Sequence, residues 1–226
     1  VQRRFKEKTA FHLRQKKALA VGSYMTFKRS DNNQAMFDFY DANTIHPLRK
    51  IIWHNRVAIE DKVVCKISYI NEYWSLIDTE GLSGIRSRVT FLKNFVTKKF
   101  SKNWGKSNHY KEDIVEQYNN FQMVVSTEEA GELPSIGTFE AMACGCAAIC
   151  SNNVEYKSLG MIAGIHYISY DSTLENLLEK IDYYKTHQIE LALIAETGKL
   201  FVCESFRIES IKKKFLEGSG NYYTEN

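Results

Sequence analysis

The sequence predicts an α/β protein built on a doubly wound parallel sheet of about six strands. Short apolar runs recur along the chain, and stretches of helical periodicity fill the intervals between them. Most of the runs are apolar at nearly every position instead of alternating. That pattern belongs to strands buried on both faces of a parallel sheet.

The expected strands are residues 18–22 (ALAVG), 63–70 (VVCKISYI), 88–92 (RVTFL), 122–126 (QMVVS), 147–151 (AAICS) and 166–170 (HYISY). Pro47 suits the first turn of a helix whose Leu48, Ile51 and Ile52 share one face, and His46 stands at its capping position. Helices are also expected over 111–118, 136–144, 188–202 and 207–216. Ser172 and Glu175 are spaced as a capping box before Leu174, Leu177, Leu178 and Ile181. With two prolines and no low-complexity linker, a single domain is expected over 18–205. A basic lead-in segment (1–17) precedes it, and a C-terminal helix and tail (206–226) follow.

Composition narrows the function classes. Apolar residues make up 44% and charged residues 25%, as in ordinary globular proteins, and the net charge of +3 is too small to argue for nucleic acid. Arg3, Arg4, Lys6, Lys8, Arg14, Lys16 and Lys17 crowd the first seventeen positions. They read as a solvated helix leading into the domain, or as a face docking on anionic lipid or on another domain. The five cysteines (Cys65, Cys144, Cys146, Cys150 and Cys203) are odd in number, and most lie in apolar surroundings. Reduced, buried thiols in a cytoplasmic protein are expected. Cys144, Cys146 and Cys150 lack a C-x-x-C pair and a nearby histidine, so no metal is expected there. No apolar run reaches the length of a membrane span and no signal peptide opens the sequence.

Doubly wound sheets bind ligands outside the carboxyl ends of their strands, which directs attention to the loops after Gly22, Ile70, Leu92, Ser126 and Ser151. After Ser126 the chain runs through Thr127, Glu128, Glu129 and Glu132 to Pro134 and Ser135. Ser135 is a good N-cap. A helix starting at Ile136 would leave the amides of Ile136, Gly137 and Thr138 unpaired, with the positive end of the helix dipole behind them. That is an anion site, and Gly137 would let a phosphate approach the backbone. Glu132 and Glu140 bracket it, seven residues between them. One carboxylate can reach each end of a bound diphosphate and accept from paired hydroxyls, a constellation suited to a nucleotide sugar. In the plain alternative, Glu140 only favours the helix dipole and Glu132 is a solvated loop residue.

The stretch E-L-P-S-I-G-T-F-E-A-M-A-C-G, from Glu132 to Gly145, resembles the E-x7-E signature and E-A-M-A-x-G helix of retaining GT-B glycosyltransferases of the group 1 type. The resemblance spans roughly residues 18–215 and implies the C-terminal, donor-binding half of a GT-B fold, a Rossmann-like domain. It gives Glu132 the donor-sugar hydroxyls and Glu140 the ribose. After the first strand the family shows Gly-Arg and, five residues on, a Lys, both cations contacting the diphosphate. Lys28 falls on the Lys position, Ser23 stands where the Arg is expected, and Arg29 is adjacent to Lys28. Leu133 and Ala147 replace a common glycine and proline. Asn94, in the loop after Leu92, corresponds to a region that meets the base.

By that resemblance the chain binds a nucleoside-diphosphate sugar and takes part in transferring a hexose-type sugar, with retention, to a glycan or lipid-linked acceptor. Lys28 and the helix amides would stabilise the departing diphosphate without a metal or cofactor, and Glu132 would orient the sugar. Half of the active site would come from a missing N-terminal GT-B domain, in the same polypeptide or as a partner chain. The enzyme would be cytoplasmic, with a peripheral membrane contact if the acceptor is lipid-linked. The rival readings are a non-catalytic nucleotide-sugar-binding module, which Ser23 favours, and a sugar-nucleotide epimerase or sugar phosphorylase on a similar fold.

Overall fold

The computed structural model describes residues 4–26, 44–69, 113–128, 133–207, 210 and 212. The apolar runs pair as expected. Strands β1 (Gln15–Tyr24), β2 (Val63–Tyr69), β3 (Phe121–Val125), β4 (Ala147–Ser151) and β5 (Ile168–Tyr170) form a sheet in the order β2-β1-β3-β4-β5. Each neighbouring pair is parallel. β3 and β4 are buried at every position, which explains why neither alternates. β1 is longer than its apolar run because its backbone finds partners beyond it: Tyr24 pairs with Tyr69 of β2 and Gln15 with Phe121 of β3. β5 is shorter, since His166 is drawn into a turn in which its N–H donates to the Ile162 carbonyl. The strand expected over 88–92 lies outside the described residues.

Helices α1 (Pro47–Asn55), α2 (Ile114–Asn120), α3 (Ile136–Ala143), α4 (Val154–Ser158), α5 (Leu174–Thr186) and α6 (Gln188–Ser205) flank the sheet. α1 begins at Pro47, where the missing N–H costs nothing, and buries Leu48 and Ile52 but leaves Ile51 exposed. The Asp113 carboxylate caps α2 by accepting from Val115 N–H at 2.9 Å. Asn153 caps the short α4 in the same way, through Glu155 and Tyr156. The cap of α5 is one residue later than its sequence suggests. Ser172 has φ 71, in the left-handed region that an N-cap does not adopt. Thr173 is extended instead, and its Oγ1 accepts from Asn176 N–H at 3.2 Å. The helix expected over 207–216 falls almost wholly outside the described residues.

Two apolar clusters fill the layers. On one face Ala18, Ala20, Met123, Val125 and Ile149 meet Ile52 of α1 and Leu177 and Ile181 of α5. On the other, Leu19, Val124, Ala148 and Cys150 meet Tyr118 of α2, Met142 of α3 and Tyr156 of α4. α6 serves both, with Leu191 and Ile194 in the first cluster and Val202 in the second. Each large aliphatic side chain removed from water contributes about 1.5–3 kcal/mol before entropy is counted.

Among the described residues the basic segment is exposed at Arg4, Lys6, Lys8 and Lys16 but is not a continuous helix: it holds one 3-10 turn at Phe11–Leu13 and enters β1 at Gln15. Residues 4–10 contain no helix, and Phe5 and Arg14 are buried. Arg14 closes the amino edge of the sheet: Nη2 donates to the carbonyls of Thr9 at 2.7 Å and Cys144 at 2.9 Å, and to Glu7 Oε1 at 3.1 Å. Lys199 of α6 completes the group on Glu7 Oε2 at 2.8 Å. A guanidinium this deep is tolerated because its charge is paired with Glu7 and its Nε and Nη2 donors are satisfied, although Nη1 is buried without a partner among the described residues.

All five cysteines are free, and Cys144, Cys146 and Cys150 are buried. Burial pushes the Cys144 thiol up to about 11 and the Cys146 thiol up to about 12. In native protein at pH 8, a disulfide-exchange reagent should therefore modify only the half-exposed Cys65 and Cys203, the other three reacting after denaturation. Peptide mapping that finds rapid native modification of Cys146 would contradict this packing. A second expectation concerns Gly198 on α6, where a Cβ would stand 2.4 Å from the carbonyl oxygen of His166. Backbone cannot yield as a side chain does. Gly198→Ala should thus lower the urea midpoint, the overpacking cost of about 1–3 kcal/mol outweighing about 1 kcal/mol of helix propensity. A raised midpoint would mean that α6 stands off the His166 turn.

Candidate functional site

The strand order reverses between β1 and β3, so a crevice opens outside their carboxyl ends. Ser23 and Tyr24 end β1, and Ser126, Thr127 and Glu128 follow β3. One side chain ties the two ends together. Arg49 of α1 donates from Nη1 to the Ser23 carbonyl at 2.9 Å and from Nε to Thr127 Oγ1 at 2.9 Å.

α3 starts at this edge, as the sequence predicts, but its first turn is arranged differently in detail. Ser135 occupies the N-cap with φ −74 and ψ 138, yet its hydroxyl makes no capping bond. Its carbonyl accepts from Thr138 N–H at 3.0 Å, so Thr138 does not offer a free amide and the first turn presents those of Ile136 and Gly137. The Ile136 side chain is 77% exposed. Gly137 has a structural task beside any ligand: a Cβ there would stand 3.1 Å from Tyr118 Oη. Glu140, one turn on, is half-buried; burial raises its carboxyl above the usual range, and Arg4 opposes the rise. Burial and then the Glu140 charge likewise raise the Tyr118 phenol, which places these two groups in one environment.

Beneath the first turn runs a buried chain of hydroxyls. Tyr156 Oη donates to Glu128 Oε1 at 2.7 Å, and the same carboxylate oxygen accepts from Ser151 N–H at 3.1 Å. Ser126 Oγ is 2.7 Å from Tyr156 Oη and 2.7 Å from Thr138 Oγ1. Because Tyr156 spends its proton on the carboxylate, Ser126 must donate to Tyr156, and Thr138 to Ser126. The polarity of the whole chain is thus fixed by Glu128, and its far end holds the first turn of α3 in place.

Of the residues singled out from sequence, the structure gathers Ser23, Ser135, Ile136, Gly137, Thr138 and Glu140 along this edge; Lys28, Glu132 and Asn94 lie outside the described residues. Sequence reasoning missed Arg49, Tyr118, Glu128 and Tyr156. For Arg49 a signal existed. A cation in the first turn of a helix opposes the macrodipole and calls for a compensating reason. Tyr156 gave none, since its hydroxyl's partners lie on other elements. Tyr156→Phe should leave the buried Glu128 carboxylate short of a donor and cost about 1–3 kcal/mol of unfolding free energy. An unchanged denaturation midpoint would mean that water replaces the phenol without loss.

Among solved structures, the chain is similar to the C-terminal domain of a glycosyl transferase group 1 family protein, LpcC, from Francisella tularensis. Identity is 13%, with a TM-score of 0.49, over 90% of this chain and 96% of that one. It is also similar to HepE of Anabaena in complex with UDP, at 12% identity and a TM-score of 0.48, over 93% of this chain and 43% of HepE. A glycosyltransferase from Rickettsia africae ESF-5 matches at 13% identity and a TM-score of 0.46, over 96% of this chain and 50% of that enzyme. The chain thus spans half or less of the two longer proteins. No curated protein matches its sequence. The family described as glycosyl transferase-like does match, over residues 86–217, which is more than half of the chain, and the protein belongs to that family.

Proposed function

We propose that this chain is the donor half of a glycosyltransferase, binding a nucleoside-diphosphate sugar at the carboxyl edge of its sheet. One observation carries the reading: the strand reversal between β1 and β3 coincides with the N-terminus of α3. Doubly wound sheets hold ligands at such reversals, and helix N-termini favour phosphate. Membership of the glycosyl transferase-like family supplies the reaction class.

In this reading the diphosphate lies over the amides of Ile136 and Gly137, with Lys28 as a cation and the Ser23 hydroxyl as a neutral contact. Glu140 accepts from the ribose hydroxyls, Glu132 orients the sugar and Asn94 meets the base. Negative charge that develops on the departing diphosphate is met by fixed donors, which need no reorganisation as the bond breaks. Transfer of a hexose-type sugar with retention, to a glycan or lipid-linked acceptor, would be completed by an N-terminal domain or partner chain. Ser23, which carries no charge where an arginine is expected, favours one second reading, a non-catalytic module that binds nucleotide sugar for a partner.

Titration calorimetry with UDP, GDP and their sugar conjugates decides between them. One nucleotide should bind, and Glu140→Ala and Lys28→Ala should each weaken it about tenfold, near 1.4 kcal/mol. The affinity should also depend on pH. A carboxyl raised by burial takes up its proton at a higher pH than an ordinary glutamate, and the neutral form accepts poorly from ribose hydroxyls. Binding should therefore weaken as pH drops through the raised Glu140 value, at a higher pH than an ordinary glutamate would give, a dependence that Glu140→Gln removes. Weak binding that neither substitution changes would turn the reading over to the non-catalytic module, and a folded protein that binds none of these ligands would overturn both readings.

A further inference from the structure

Position 23 holds a hydroxyl where a cation is expected, yet the fold brings a guanidinium to the same place by another route. Arg49 enters from α1 and crosses the carboxyl edge of β1. Nη1 donates to the Ser23 carbonyl at 2.9 Å, Nε to Thr127 Oγ1 at 2.9 Å, and Nη2 lies 3.5 Å from the Thr127 carbonyl. These acceptors end the two strands that flank the reversal, separated from Arg49 by 26 and 78 positions in sequence. The space for the guanidinium is built in. Gly22 has φ +131, and a Cβ on it would stand 2.9 Å from both Cζ and Nε of Arg49. A side chain at 22 would be strained at that φ and would require the guanidinium to shift.

Thr127, whose hydroxyl accepts from Arg49 Nε, follows β3, the strand that leads to α3. The charge of Arg49 acts on the Tyr118 phenol, and Tyr118 Oη sits 3.1 Å from where a Cβ of Gly137 would stand. His46, just before α1, is held down to about 4 by burial and then by Arg49, so the imidazole is neutral at physiological pH. The guanidinium, not the imidazole, supplies the positive charge from this side.

We propose that Arg49 is a cation of the diphosphate subsite, delivered from α1 in place of the arginine that position 23 lacks. The inference rests on the donor-binding reading given above. A planar guanidinium suits phosphate oxygens better than a point charge does, and its plane is already fixed by acceptors on both strand ends. Part of the ordering cost is thus met before a ligand arrives.

The experiment compares the intact chain with Arg49→Gln, Arg49→Lys and the double variant Arg49→Gln with Ser23→Arg, each checked for folding by circular dichroism. UDP and GDP are titrated at low and high salt, with uridine and guanosine as probes that lack the diphosphate. Arg49→Gln should weaken the diphosphate at least tenfold and flatten its salt dependence, with nucleoside binding changed less than twofold. Arg49→Lys should recover part of the loss, and Ser23→Arg in the double variant should recover more. Equal losses for nucleoside and diphosphate, or no loss at all, would overturn the inference while leaving the donor-binding reading intact. A wild-type protein that binds no nucleoside diphosphate would overturn both. Should Arg49→Gln fail to fold, phenylglyoxal labelling of the wild type decides the matter. UDP should protect Arg49 and uridine should not, as mapped by mass spectrometry, and equal labelling with either would reject the proposal.

Discussion

β1 pairs in parallel with β2 on one side and with β3 on the other, and neither pairing can be closed by a hairpin. Each requires the chain to leave the carboxyl edge, cross a face of the sheet and return to the amino edge. Crossing segments bury an apolar stripe on each face, so the strands between them must be apolar on both sides. The two core clusters meet that demand, with neighbouring residues such as Leu19 and Ala20 assigned to opposite layers. The same constraint creates the crevice. α1, which follows β1, packs on one face of the sheet and α3, which follows β3, on the other, so the strand order reverses between them.

The two edges of the sheet handle charge differently. At the amino edge, Arg14, Glu7 and Lys199 form a group in which a buried cation finds a carboxylate and two carbonyls. At the carboxyl edge the polar groups extend between elements. Glu128 is anchored by Tyr156 and Ser151, and its influence passes through Ser126 to Thr138 on α3. Arg49 links α1 to the ends of β1 and β3. Such bonds reach across turns that apolar packing does not hold. They fix where the first turn of α3 stands relative to the end of β1, which is the distance a diphosphate would have to span.

Much of the fold was legible because it rests on patterns local in sequence. Strands buried on both faces announce themselves as unbroken apolar runs, and Pro47 and the leucines and isoleucines of α5 mark their helices directly. Errors arose where neighbouring residues competed for one role. Ser172 and Thr173 are equally good caps by composition, and a positive φ at Ser172 decided for Thr173. The basic lead-in is exposed at Arg4, Lys6, Lys8 and Lys16 as its charge suggests, but sequence hides Glu7 folding back onto a buried Arg14. At the candidate site, Ser135 and Gly137 were found by their helix-start pattern, but the tasks given to Ser135 and Thr138 differed in the structure. Ser135 contributes a carbonyl where a hydroxyl was expected, and Thr138 points its side chain inward. Tyr156 and Glu128 meet across 28 positions, and no local pattern records that contact.

Gly22 and Arg49 illustrate how such a contact restricts a sequence without leaving a motif. Arginine in the first turn of α1 stands at the positive end of the helix dipole, an unfavourable place worth some tenths of a kcal/mol in isolation. Its position is held by a carbonyl of β1 and a hydroxyl of the loop after β3, and the glycine that makes room for it adopts a φ few other residues tolerate. A side chain at 22 would push the guanidinium aside, and loss of the guanidinium would remove the tie between Ser23 and Thr127. Each position is therefore constrained by the other across 26 residues of intervening sequence. Charge at this edge can thus be carried by a residue of α1 instead of one at the end of β1, provided that the end of β1 keeps its glycine.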